Sequence, residues 1–206
     1  MGSAPGVADQ VAAAILSFVS SVPRSNENET PIPAEASRKR AVRAAVAAAS
    51  ASGTLALPPG PLGWLTILPE LLVVWKIQAQ MVADIAGLYG KKHALTQEQM
   101  LYCLFRHSAS HAVREMVVQV GERMLVKRAS IRALKTAARR VGVKVTQRVV
   151  AKGVSRWLPV VGAFGVAGYA YYDTAQVARV AMELFERDID VEHSSATAGD
   201  IIDARP

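Results

Sequence analysis

Two stretches limit what this chain can fold into: "LPPGPLGWLTILPELLVVWKIQAQMVADIAGLYG", residues 57–90, and "RWLPVVGAFGVAGYAYYDTAQVARVAMELFERD", residues 156–188. Each opens on an apolar run punctuated by proline and glycine and then continues at helical spacing. From Leu62 to Trp75 only Thr66 and Glu70 are polar, and Trp157 to Tyr172 is 16 uncharged residues containing Pro159, Gly162, Gly165 and Gly168. A bilayer-spanning helix needs roughly 20 apolar residues, and proline frees backbone groups that lipid cannot satisfy. Both runs are therefore expected to be buried or shallowly inserted hairpins, with the three glycines allowing helices to approach closely.

The rest of the chain is helical in pattern. Residues 7–22 form a short amphipathic or buried helix, and "PRSNENETPIP" is a polar connector bounded by proline. Pro33 opens and Gly53 closes a run of good helix formers. The first apolar run turns amphipathic through Lys76, Gln78, Gln80 and Asp84 and ends at Gly90, a natural C-cap. Thr96 followed by Gln99 is a capping-box pattern. No segment alternates strictly, so the expected fold is all-α: one helical domain of about six or seven helices with Gly/Pro-broken apolar hairpins. Residues 1–32 read as an N-terminal helix and linker, 33–188 as the helical domain, and 189–206 as an acidic, poorly ordered tail.

Charge is strongly polarised along the chain. Residues 1–122 carry 10 basic and 9 acidic groups; residues 123–172 carry 11 Lys or Arg and no Asp or Glu; residues 173–206 carry 8 acidic against 3 basic. Arg128, Arg132, Lys135, Arg139, Lys144, Arg148 and Lys152 lie along one side of a basic amphipathic helix, or of two joined near Gly142. Ile131, Leu134, Ala138, Val141 and Val145 lie opposite. Such a stripe suits nucleic-acid phosphates, an anionic membrane surface, or solvent and the acidic tail. Nucleic acid is disfavoured, because no helix-turn-helix, zinc or aromatic-interleaved motif accompanies the stripe. Membrane contact gains from Trp64 and Trp157, which flank the apolar runs as interfacial aromatics do.

One constellation suggests metal chemistry. Cys103, His107, His111 and Glu115 follow at steps of four in "YCLFRHSASHAVREM". On a continuous helix Leu101, Phe105, Ala112 and Met116 cluster on the buried side, while Cys103, His107 and His111 fall at about 200, 240 and 280 degrees, away from it. Four steps spread too widely for one tetrahedral site, and Arg106 and Arg114 crowd the histidines. His107 and His111 remain weak metal candidates. "GAFGVAG" lacks the Lys-Ser/Thr of a phosphate loop, and no nucleophile has a readable partner. No catalytic residue and no cofactor are assigned.

A shift of 96 residues pairs Ala79 and Gln80 with Ala175 and Gln176, Met81 with Val177, Leu88 with Leu184, and Tyr89 with Phe185. That is either internal duplication or the coincidence that helical spacing readily produces. At these residues the chain resembles the EcsC family of bacterial helical proteins. "LGWLTILPELLVVWKIQAQMVADIAGLYG" and "LPVVGAFGVAGYAYYDTAQVARVAMELF" carry the resemblance, over roughly residues 40–188. It implies membrane association and a link to a component encoded with an ABC transporter, with no enzymatic activity or cofactor.

The single cysteine excludes an internal disulfide, and "MGSAPGVADQ" lacks the basic start of a secretory signal. The expectation is a non-enzymatic helical protein on the cytoplasmic, inner face of the cell membrane, accessory to a transport or membrane system. Its partner would be an anionic membrane surface or a membrane protein. The alternatives are a soluble adaptor that docks a protein through an apolar helical surface, and a metal-dependent enzyme built on His107 and His111.

Overall fold

The computed structural model describes residues 7–54, 63–106, 113, 117–120, 123–127, 131–153, 159–187 and 189–192. Six helices order the described chain: α1 (Val7–Ser20), α2 (Pro33–Thr54), α3 (Gly63–Leu88), α4 (Gln97–Phe105), α5 (Ile131–Gly153) and α6 (Pro159–Glu186). The all-α expectation holds, and local signals place several boundaries where the sequence put them. Pro33 and Pro159 open α2 and α6 at the one helical turn where a missing N–H costs nothing. Thr96 caps α4 with the full capping box: its hydroxyl accepts from Gln99 N at 3.3 Å, and its own N–H donates to Gln99 Oε1 at 3.0 Å. Gly90, at φ +72°, ends α3, with its N–H on Gly87 O at 2.9 Å and Lys91 N on Ala86 O at 2.7 Å. These two bonds make a Schellman turn, and the left-handed φ explains the glycine.

The apolar runs are not hairpins. Each is the first half of one long helix, α3 or α6, and α3 continues through Pro69. Their relative register follows from a few contacts. Gln78 Nε2 donates to Thr174 Oγ1 at 3.2 Å, and Lys91 Nζ donates to Phe185 O at 2.8 Å and Arg187 O at 2.6 Å. Both helices advance together between these contacts, so α3 and α6 lie side by side and parallel. α2 runs antiparallel to them, with Arg40 opposite Asp84 and Ala48 packed against Val74 and Ala170. The 96-residue offset visible in the sequence is thus also the register in which α3 and α6 pair: Val74 packs with Ala170 in one cluster, and Gln78 bonds Thr174.

The main core gathers residues from α1, α3, α4, α5 and α6, including Ile15, Met81, Ile85, Leu101, Leu104, Ala138, Leu184 and Phe185. Burying such side chains stabilises by about 1.5–3 kcal/mol each for the large aliphatics and aromatics. Trp75 meets Phe105 edge-on at 5.4 Å between ring centroids, the arrangement that aromatic quadrupoles favour. α4 sits at the centre, buried on all sides from Gln99 to Phe105. The N-terminal helix belongs to this core, since Val11 and Ile15 are buried in it and α1 packs along α5.

Three short strands add a feature that strict alternation did not flag. β1 (Val117–Val120) pairs antiparallel with β2 (Arg123–Lys127), and β2 pairs parallel with β3 (Ile189–Glu192). Val117, Met124 and Val126 turn into the core. The sequence signal was the valine-rich VVQV and the apolar centre of RMLVK, separated by Gly121-Glu122 at a two-residue hairpin spacing. Residues 189–192, expected to begin the tail, form the sheet's third strand; residues 193–206 lie outside the described residues.

Candidate functional site

The parallel register sends the two apolar runs to the same end of the bundle. Gly63 precedes Gln78 by 15 residues and Pro159 precedes Thr174 by 15, so both helices begin about 22 Å from that shared contact at ~1.5 Å per residue. Trp64 lies in the first turn of α3, although its side chain is outside the described residues, and Trp157 falls outside them altogether. α5 ends at Gly153, and the short link to Pro159 holds its end within about 20 Å of the start of α6. One pole therefore collects the starts of α3 and α6 and the basic end of α5.

α5 is a single helix across Gly142. Its buried side carries Ala137, Ala138 and Val141, with Leu134 partly buried, while Arg132, Lys135, Arg139 and Lys144 are exposed. Arg148 and Lys152 occupy its last turns, with side chains outside the described residues; Arg128 lies outside them entirely. Arg139 Nε meets Asp9 Oδ1 of α1 at 3.2 Å with both side chains largely exposed. Among the described residues an acid of the N-terminal helix meets this face, in a screened surface pair of small energetic weight.

Gly165 and Gly168 of α6 bring no neighbouring helix close among the described residues. A Cβ placed on Gly165 or Gly168 would meet nothing within 4 Å among the described residues. Around them Tyr169, Tyr171 and Tyr172 are 40, 41 and 60% exposed. By length and composition one helical window among the described residues, Leu71–Leu88, could cross a membrane, but 61% of it is buried inside the fold. Its burial is that of a core helix.

The ligand ladder does not survive intact. α4 ends at Phe105 with Arg106 in a turn, so of the wheel's three residues only Cys103 stands on a described helix. Cys103 faces the core rather than solvent: it is fully buried because α3, α6 and the sheet enclose α4 from several sides. That burial pushes its thiol well above its ordinary value and leaves it unreactive. His107, His111 and Glu115 lie outside the described residues. Among the described residues no group of three His, Cys, Asp or Glu is placed to hold a metal.

Sequence reasoning missed two buried polar clusters on α3. It placed Gln78 and Asp84 only among the polar residues that make α3 amphipathic, whereas Gln78 is enclosed against α6 and Asp84 is roofed by α2 and by the segment 21–32. Gln78 Nε2 also donates to Asp173 Oδ2 at 2.8 Å. Asp84 accepts four donors: Arg40 Nε at 2.7 Å and Arg40 Nη2 on Oδ2, with Ser25 Oγ and Gln80 Nε2 on Oδ1, each at 2.9 Å. The connector 21–32 is thus a strap strung across α3, with Thr30 N on Leu88 O at 3.2 Å and Lys92 Nζ on Asn28 Oδ1 at 3.1 Å. Gly87 makes room for it, since a Cβ there would come within 2.9 Å of Glu27 O and of Ser25 Oγ. These clusters fasten α2, α3, α6 and the strap together.

No family model, curated protein or solved structure matches the chain.

Proposed function

We propose that the protein is a peripheral, non-enzymatic membrane-associated helical protein acting at the cytoplasmic face, in the manner of an EcsC-like accessory factor. One observation carries this: parallel α3 and α6 bring both Gly/Pro-led apolar runs to the pole where basic α5 ends. Apolar surface beside uncompensated positive charge is the composition that an anionic lipid surface attracts. Support comes too from the charge pattern, since residues 123–172 hold no acid to oppose that attraction. The EcsC-like pattern in residues 57–90 and 156–188 is in accord with it. Peripheral contact fits better than a span, because the most apolar window is already committed to the core.

Replacing Lys144, Arg148 and Lys152 by alanine tests the electrostatic part. Lys144 is exposed, and all three lie in the last ten residues of α5, toward the pole. At roughly 1 kcal/mol for each charge near an anionic surface, the triple variant should bind vesicles of phosphatidylglycerol about 100-fold more weakly while melting like the wild type. Unchanged vesicle binding would remove α5 from the interface.

A further inference from the structure

Charge is divided between two groups of helices. α1 and α5, which pack along one another, hold seven cations and a single acid, Asp9, whereas α2, α3, α4 and α6 hold six cations and seven acids. The cations of α5 are spread along its length. At 100° per residue the described side chains from Arg132 to Gln147 split the helix in two: Arg132, Lys135, Arg139, Arg140 and Lys144 are exposed on one half, and Ala137, Ala138 and Val141 are buried on the other. α1 borders the exposed half. Asp9 Oδ1 pairs with Arg139 Nε at 3.2 Å, and Ala13, Ser17 and Ser20 follow Asp9 at i+4, i+8 and i+11 as small, exposed, uncharged residues. A surface laid along this side reaches all five cations at once. A surface that met only the Lys144 end would leave Arg132 about 18 Å behind at ~1.5 Å per residue, more than twice the Debye length of about 8 Å at 0.15 M salt. Each cation close to anionic lipid strengthens binding about 5-fold, so Arg132 and Lys135 together make the lengthwise contact tighter by about 30-fold. Val143, exposed in the same half, suits the boundary of headgroups and acyl chains and has no partner on a phosphate backbone.

We propose that the α1–α5 pair is a lengthwise docking face for anionic lipid: α5 lies flat with its exposed half on the headgroups and α1 beside it. This rests on the membrane reading above and extends the contact from the pole along the side of α5. It differs from an interfacial amphipathic helix, which buries its apolar face in lipid. Here the apolar side of α5 stays in the protein core and the cationic side meets the bilayer. Asp9 is the one charge on these two helices that opposes the contact.

The natural chain suits the test, because buried Cys103 does not compete for a thiol label. Ala133 and Gln147 are exposed, uncharged positions on this half of α5, about 21 Å apart at ~1.5 Å per residue, and Ala47 is exposed on α2, which packs on α3 and α6. Ala133→Cys, Gln147→Cys and Ala47→Cys each carry a fluorophore. Each labelled protein is mixed at low salt with vesicles of equal parts phosphatidylglycerol and phosphatidylcholine that carry a short-range quencher on some headgroups, and sedimentation is followed in the same samples. The expected result is co-sedimentation with comparable quenching at 133 and 147 and none at 47. Quenching at 147 without 133 stands the helix on end, and quenching at neither takes α5 off the surface; both overturn the lengthwise face and leave membrane binding standing. Failure to sediment overturns the membrane reading itself. Asp9→Asn, which leaves every cation in place, should sediment at about 5-fold less lipid, and unchanged sedimentation overturns the part given to α1. Tighter binding to a short duplex DNA of arbitrary sequence than to the vesicles, at equal phosphate concentration and salt, makes nucleic acid the occupant and overturns the lipid assignment.

Discussion

Asp84 is the group whose loss the fold should feel most. Its side chain is 2% exposed and accepts from Arg40, Ser25 and Gln80, so it ties α2, α3 and the strap at one point. Asp84→Ala removes the acceptor of all four donors at once. Breaking a buried ion pair costs about 3–5 kcal/mol, and Arg40, 35% exposed, can turn toward water, which places the cost near the lower end. A loss of about 3 kcal/mol is a large share of the ~5–15 kcal/mol that holds a domain together. For a chain of this length it should lower Tm by about 6–12 °C. Urea denaturation followed by circular dichroism measures it, with Arg40→Met and the double variant Arg40→Met/Asp84→Ala completing the cycle. The double variant should cost at least ~1 kcal/mol less than the sum of the single substitutions, because the two side chains share one interaction. An Asp84→Ala protein within about 0.5 kcal/mol of wild type, or strict additivity across the cycle, would refute the clamp.

Two other outcomes check the packing. Gly87→Ala should push the strap off α3 at a cost of about 1–3 kcal/mol, the usual range for overpacking; amide exchange should show protection lost at Thr30, whose N–H now reaches Leu88 O. Cys103 should ignore a thiol reagent in the native protein and react stoichiometrically in denaturant, and fast native reaction would return it to the surface.

Much of the helical framework was legible because its signals are local. Pro33, the Thr96–Gln99 box, the Gly90 cap and the Arg132–Lys135–Arg139 face each act within a turn or two, and each stands where the pattern put it. What was not legible depends on partners distant in sequence. Cys103 seemed solvent-facing because a wheel assumes one buried side, yet α4 has neighbours all round. Gln78 and Asp84 read only as polar residues of an amphipathic helix because their covers come from segments 95 and 44 residues away. Proline and glycine in the apolar runs suggested hairpins, but α3 continues through Pro69 as one helix packed on α2 and α6. Of the site, the basic and apolar components were readable, while their meeting at one pole was not: that follows from α3 and α6 being parallel, a tertiary fact at which the 96-residue offset alone hinted.

The central claim is that this pole recognises an anionic lipid surface, and sedimentation of the unmodified protein with vesicles tests it most directly. At low salt the protein should pellet with phosphatidylglycerol-containing vesicles and not with pure phosphatidylcholine, and it should return to the supernatant as salt shortens the Debye length from about 30 Å at 0.01 M to about 8 Å at 0.15 M. Protein that stays in the supernatant with anionic vesicles at every salt concentration would contradict the account.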